Sequence, residues 1–253
     1  VTFAYMWLMK APVILKDGTY QPIDESVVAR NNVIVRIAPL ESDYRYPITD
    51  KEKNAEAREC IFAWHAVAEN LAVWDYNQDF NSHSFTYPSR KSTEITVNSY
   101  YENNFIDVFH QMQAASPSAQ CFGNAVAFAY SAKLWNVKEN YEEFIDVYYK
   151  ECAGTVKEYI SSLDVLAANM EKRGYTGDIH TGVQLHPEFY ELGEIRNLEK
   201  ILNKALDKAK SLSNLKLSRL LFDRIYPLTF FYKWVLLCCF NKKNDSDEFQ
   251  STG

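Results

Sequence analysis

Four short apolar runs, separated by stretches with helical spacing, constrain this chain more than any other feature. They cover residues 1–9, 33–38, 71–74 and 105–109. The run 33–38, Val-Ile-Val-Arg-Ile-Ala, is the clearest strand: it is β-branched and stopped by Pro39. Thr49-Asp50 and the residues from 53 to about 69 read as a helix, with Cys60, Ile61, Trp64 and Ala68 at helical spacing. A shorter helix is expected over 95–103. Strands that read as unbroken apolar runs are buried on both faces, which argues for an α/β chain with a parallel sheet and helical crossovers. Four strands do not close a barrel, and an open four-stranded sheet leaves two edges bare. The C-terminal half of an eight-stranded (β/α)8 TIM-type barrel accounts for the strand count. It also accounts for an apolar run that begins at Val1, where the chain is expected to have lost its N-terminal half.

Beyond residue 113 the pattern turns helical, over 117–134, 140–173, 188–210 and 214–240, with a turn at 135–137 and a glycine-bearing loop at 174–187. The expected organisation is a half-barrel at 1–172, an α-helical region at 173–240 and a polar tail at 241–253. Hydrophobic residues make up 47% and charged residues 24% of the 253, the balance of a globular protein. The net charge of −6 gives no basic footprint, which argues against nucleic acid as a partner. The apolar run 234–240 is too short to span a bilayer and reads as the buried face of a C-terminal helix. Cys60, Cys121, Cys152, Cys238 and Cys239 are odd in number and lack CxxC spacing, so neither a disulfide framework nor a zinc site is indicated. No metal or cofactor is expected.

The run Leu71-Ala-Val-Trp-Asp-Tyr-Asn-Gln-Asp-Phe80 opens as a buried strand and ends in carboxylates, a phenol and amides. Barrel enzymes present their sites at the carboxyl ends of strands in this way. Trp74 and Tyr76 beside Asp75 and Asn77 suit a sugar, which has apolar ring faces and a hydroxyl rim. Asp75 reads as a weak candidate catalyst, as a clamp on hydroxyls or as a structural cap. Tyr5 and Trp7, two apart on the first strand, share a face and read either as a stacking wall or as packing. Arg36 interrupts a buried strand and needs a partner, either a structural carboxylate or an acidic substrate group. His110 and Gln111 end the fourth strand and are expected at the same mouth. His83 and Tyr87 read as solvated loop residues. A metal set of His180, His186 and Glu188 matches no known spacing. Gly174, Gly177 and Gly182 form no dinucleotide fingerprint, and Glu191 and Glu194 read as a solvated helix face.

Several segments occur in a serial order that resembles a known family: Phe3-Ala4-Tyr5 with Pro12, Asn32 to Arg36, Val73 to Tyr76 and Val108 to Gln111. Ala132 to Asn136 and Phe144 to Tyr149 follow them. Over roughly residues 2–172 the chain resembles the C-terminal half of the bacterial domain-of-unknown-function family DUF4838, itself similar to (β/α)-barrel glycoside hydrolases of the hexosaminidase and α-glucuronidase types. The resemblance implies a carbohydrate-active protein of bacterial origin, secreted or at the cell surface when intact, that hydrolyses O-glycosidic bonds. It implies that the chain supplies the last four strands and that the principal acid lies upstream of Val1. Tyr5, Trp7, Arg36, Trp74, Asp75, Tyr76, Asn77, His110 and Gln111 are then substrate-binding residues. One departure stands out: Asp75 and Tyr76 are adjacent, where related enzymes separate these residue types by one position. A barrel that binds sugar without catalysis, and a structural or interaction domain, remain the alternatives.

Overall fold

The computed structural model describes residues 1–112, 127–128, 131–132 and 141–240. The expected helix 117–134 lies outside them apart from its two described residue pairs. Cys121, the turn at 135–137 and the tail 241–253 lie outside them altogether. The chain forms two compact units that do not divide at residue 172. One takes residues 1–77, 89–112 and 177–179, and the other takes 78–88, 113–176 and 180–253.

The first unit holds β1 (Thr2–Tyr5), β2 (Val13–Lys16), β3 (Thr19–Pro22), β4 (Ile34–Ala38), α1 (Ala55–Trp64), β5 (Asn70–Tyr76), α2 (Arg90–Glu102) and β6 (Asp107–Gln111). Its main sheet is parallel throughout and runs in the order β1-β4-β5-β6, so each strand pairs with the next parallel strand in sequence. The mixed α/β class and parallel sheet agree with the apolar runs. β2 and β3 form an antiparallel hairpin across Asp17-Gly18, where φ is 51° and 76°. Both angles are positive, the requirement of the tight hairpin turn that an Asp-Gly pair favours.

Register fixes which side chains share a face. Phe3 pairs with Arg36, Ala4 with Ile37, Val73 with Val108, Trp74 with Phe109 and Asp75 with His110. Since side chains alternate, Ala4, Val35, Ile37, Leu71, Val73, Asp75 and His110 lie on one face. Ala4, Val35, Ile37, Leu71 and Ala68 form a buried cluster there, against which Trp64 of α1 and Phe105 pack. Phe3, Tyr5, Arg36, Trp74, Tyr76, Asp107, Phe109 and Gln111 lie on the other face.

Several expected element boundaries move, and the helix expected from 53 to about 69 is confined to Ala55–Trp64. The first strand ends at Tyr5 because Met6 takes φ 50°, and a 3-10 turn Met6–Leu8 follows. β5 runs on to Tyr76, and α2 begins at Arg90, five residues before its expected start. His110 and Gln111 are inside β6, so they point to opposite faces and do not share a mouth.

The second unit is helical, with α3 (Tyr141–Tyr149), α4 (Ala153–Lys172), α5 (Leu192–Lys210), α6 (Leu215–Ile225) and α7 (Leu228–Val235). α5 packs against α4, α6 and α7. The expected helix 140–173 is broken at Lys150, where φ is 47° and a 3-10 turn intervenes. The expected helix 188–210 begins only at Leu192, because Glu191 and Glu194 form a capping box. Glu191 is nonetheless exposed, as expected of a solvated face, whereas Glu194 is drawn inward. Glu194 also accepts from Asn169 at 2.7 Å and pairs with Arg173 at 2.7 Å. The helix expected over 214–240 stops at Ile225 and restarts beyond Pro227, whose ring cannot continue the backbone ladder. The run 234–240 does not bury as a face: Trp234 and Leu237 are exposed, and Leu236–Phe240 is a π-turn. Among the described residues no helix is long and apolar enough to cross a membrane.

Candidate functional site

Asp75 is the penultimate residue of β5 and is 1% exposed, which excludes a solvated turn. The backbone N–H of Tyr76 donates to its Oδ1 at 3.0 Å, and His110 Nδ1 lies 3.9 Å from its Oδ2. Burial first, then the charge of the nearby Asp75 carboxylate, holds the Tyr100 phenol, from α2, well above its usual range. Burial lowers the His110 imidazole to about 3. Asp75, Tyr100 and His110 thus form a polar cluster on the packed face of the sheet. That face is opposite the one that carries Trp74, Phe109 and Gln111.

The opposite face carries the remaining candidates and, among the described residues, is partly exposed. Trp74 is its centre. Its ring centroid is 4.3 Å from that of Phe109 and 5.6 Å from that of Phe3, and its Nε1 donates to Gln111 Oε1 at 2.9 Å. Phe3 is 46% and Phe109 42% exposed. An ion pair of Arg36 with Asp107 crosses between β4 and β6 on this same face. Arg36 therefore has the structural carboxylate its burial demanded. Tyr5 lies on this face at the end of β1. Tyr76 shares the parity but is buried, edge-on to Tyr44 at 6.0 Å, and burial raises its phenol. Asn77 follows β5; its N–H donates to the Gln111 carbonyl at 3.2 Å, and its side chain accepts from Ser89.

Trp7 is not on the strand with Tyr5 but on the 3-10 turn, 89% exposed. It lines a pocket of about 260 Å³ beyond the carboxyl ends of β1 and β4, together with Met6, Leu40, Glu41 and Glu56. Open parallel sheets bind ligands beyond the carboxyl ends of their strands. The loop that carries Glu41 is held by buried Asn54: Asp43 N–H donates to Asn54 Oδ1 at 2.8 Å, and the Asn54 amide donates to the carbonyls of Asp43 at 3.0 Å and Pro47 at 2.9 Å. Glu56, in the first turn of α1, pairs with Lys10 at 3.2 Å. The sequence reading missed Glu41, Glu56, Phe3, Asp107 and Phe109. Glu41 had a usable signal, since it lies two residues beyond the proline that stops a strand.

In the helical unit Tyr87 is buried while His83 is exposed, so only His83 fits a solvated loop. His186 pairs with Glu188 at 2.8 Å, whereas His180 stacks on Phe80. Among the described residues no cluster of three or more His, Cys, Asp or Glu could hold a metal. The model of one family, described as a domain of unknown function (DUF4838), matches residues 3–161. No curated protein and no solved structure matches the chain.

Proposed function

The chain belongs to the DUF4838 family, and on that premise we propose that it is a carbohydrate-handling domain, the C-terminal half of a glycosidase-like (β/α)8 barrel. The observation that carries the reading is the open sheet face, where Phe3, Trp74 and Phe109 are in ring contact and Gln111 and Arg36 sit among them. Aromatic rings cover the C–H faces of a sugar, while amide and guanidinium groups meet its hydroxyls. In a closed barrel this face is the lumen, and the pocket beside Trp7 stands at the mouth. The sequential parallel order of the four strands supports the same reading.

Glycoside hydrolysis needs two carboxylates, or one helped by the substrate. On the open face the described carboxylate is Asp107, and Arg36 neutralises it. Asp75 faces the other way, so this chain alone binds without cleaving, which favours the non-catalytic reading for the residues in hand. Glu41 and Glu56 at the pocket are the carboxylates that a hydrolytic reading must use.

The test is titration of the chain with a panel of neutral and acidic oligosaccharides, followed by calorimetry. Binding should weaken about tenfold in Trp7→Ala, the loss of one exposed stacking ring, with the melting temperature unchanged. No heat from any glycan at millimolar concentration would sink the proposal. Release of sugar from chromogenic glycosides, abolished by Glu41→Gln, would replace the binding reading with the hydrolytic one.

A further inference from the structure

The second unit carries an apolar surface that the glycan reading does not use. Phe222 on α6, Tyr226 at its C-cap, and Phe230 and Trp234 on α7 recur every four residues. The first three rings form a physical ladder. Phe222 stacks on Tyr226 with centroids 5.1 Å apart, and Tyr226 meets Phe230 edge-on at 5.3 Å. Phe230 is 41% and Trp234 52% exposed, and Leu237 continues the stripe on the π-turn. The other sides of the same helices supply the core: Leu221, Ile225, Leu228, Phe231, Tyr232 and Val235 are buried. The stripe is therefore surplus to folding, and a row of exposed rings this long is rare without a binding role.

Charge identifies what the stripe meets. Residues 214–240 hold Lys216, Arg219, Arg224 and Lys233 against the single acid Asp223, in a chain whose net charge is −6. Two lysines flank the rings: Lys233 Nζ lies 5.4 Å from the Tyr226 centroid, and Lys210, at the end of α5, has its Nζ 5.4 Å from that of Phe222, while Arg219 pairs with Asp223 and Arg224 lies over Tyr148. An acidic chain that gathers cations around an exposed Tyr, Trp and Phe ladder has the make-up of an interfacial helix. Such a helix lies in the plane of a bilayer, its rings at headgroup depth and its lysines among anionic headgroups. We infer that α6 and α7 form a peripheral docking surface for an anionic lipid–water interface. The helices lie on the surface and do not cross it, in keeping with their length.

The full chain is tested by co-sedimentation with vesicles of phosphatidylcholine alone and of phosphatidylcholine with phosphatidylglycerol. Wild type should pellet with the anionic vesicles and stay in solution with the neutral ones. Raising the salt to a Debye length of about 3 Å should release it. Phe230→Ser with Trp234→Ser should weaken partitioning at least about tenfold, because two rings lose their apolar burial. Lys233→Glu should weaken it too while the rings remain. Circular dichroism melts establish that the variants fold, as substitutions at exposed positions should allow. Two outcomes overturn the inference: wild type left in the supernatant with anionic vesicles, or serine variants that bind as well as wild type. A dimer that forms without lipid and is lost in the serine variants also overturns it, and identifies a second copy as the occupant. Glycan binding at Trp7 and Trp74 is read separately and is indifferent to these results.

Discussion

Asp75 and His110 stand side by side in neighbouring strands on the packed face, and their shared burial has a pH consequence. The folded chain keeps His110 neutral down to about 3, while the unfolded chain takes up a proton near the ordinary histidine value of about 6.5. The contribution is present above pH about 6.5 and is lost as pH falls toward 3, by at most about 1.4 kcal/mol per pH unit. Urea unfolding at pH 7, 6 and 5 should show that decline, and His110→Gln should flatten it. An unchanged slope in the variant would mean that other groups govern the acid side. The sequence announced that Asp75 and Tyr76 point opposite ways, but not which of them faces the helices. Both parities of β5 carry apolar residues, so pattern alone left the side of the carboxylate open. Arg36 was legible, because a charge inside an apolar strand requires a partner, and Asp107 meets that requirement.

At the scale of elements, the loop after β5 is organised by a buried acid that the sequence reading passed over. Asp79 is fully buried and accepts backbone N–H groups from Asn81 at 2.9 Å, from Gly182 at 3.1 Å and from Val183 at 3.3 Å. Gly182 takes φ 64°, where a Cβ costs strain and would crowd Asn81. Asp79→Ala leaves those donors buried and unpaired and should cost about 3 kcal/mol in the helical unit, with Asp79→Asn milder because one acceptor oxygen survives. Gly182→Ala should cost about 1–2 kcal/mol. Thermal melts followed by circular dichroism at 222 nm read both; equal stability of Asp79→Ala and wild type would dismiss the clamp. The four strands of the parallel sheet were legible from apolar runs, whereas the β2–β3 hairpin and the breaks at Met6 and Lys150 were not. Both residues adopt positive φ without being glycine, so no local propensity marks them.

At the scale of the whole molecule, the parallel sheet ends at β1 and β6, whose open-face rings Phe3 and Phe109 are exposed. Bare strand edges beside apolar side chains favour edge-to-edge association. Light scattering on a sizing column should show association that grows with concentration, and Phe3→Lys with Phe109→Lys should reduce it. A monodisperse wild type with a cooperative melt would count against the half-barrel reading. By itself the sequence determined the α/β class, the four strands, their order and their parallel sense, because burial on both faces leaves a continuous apolar signature that helices must separate. Only the tertiary structure decided which face of that sheet is packed and which is open. It also gathered Glu41, Glu56 and Trp7 at one pocket, and it divided the chain through the loop after β5 and not at residue 172. Period-two alternation fixes which residues share a face but not which face the helices cover. That choice is made by contacts between residues far apart in the chain, such as Leu71 with Ala4 and Val35.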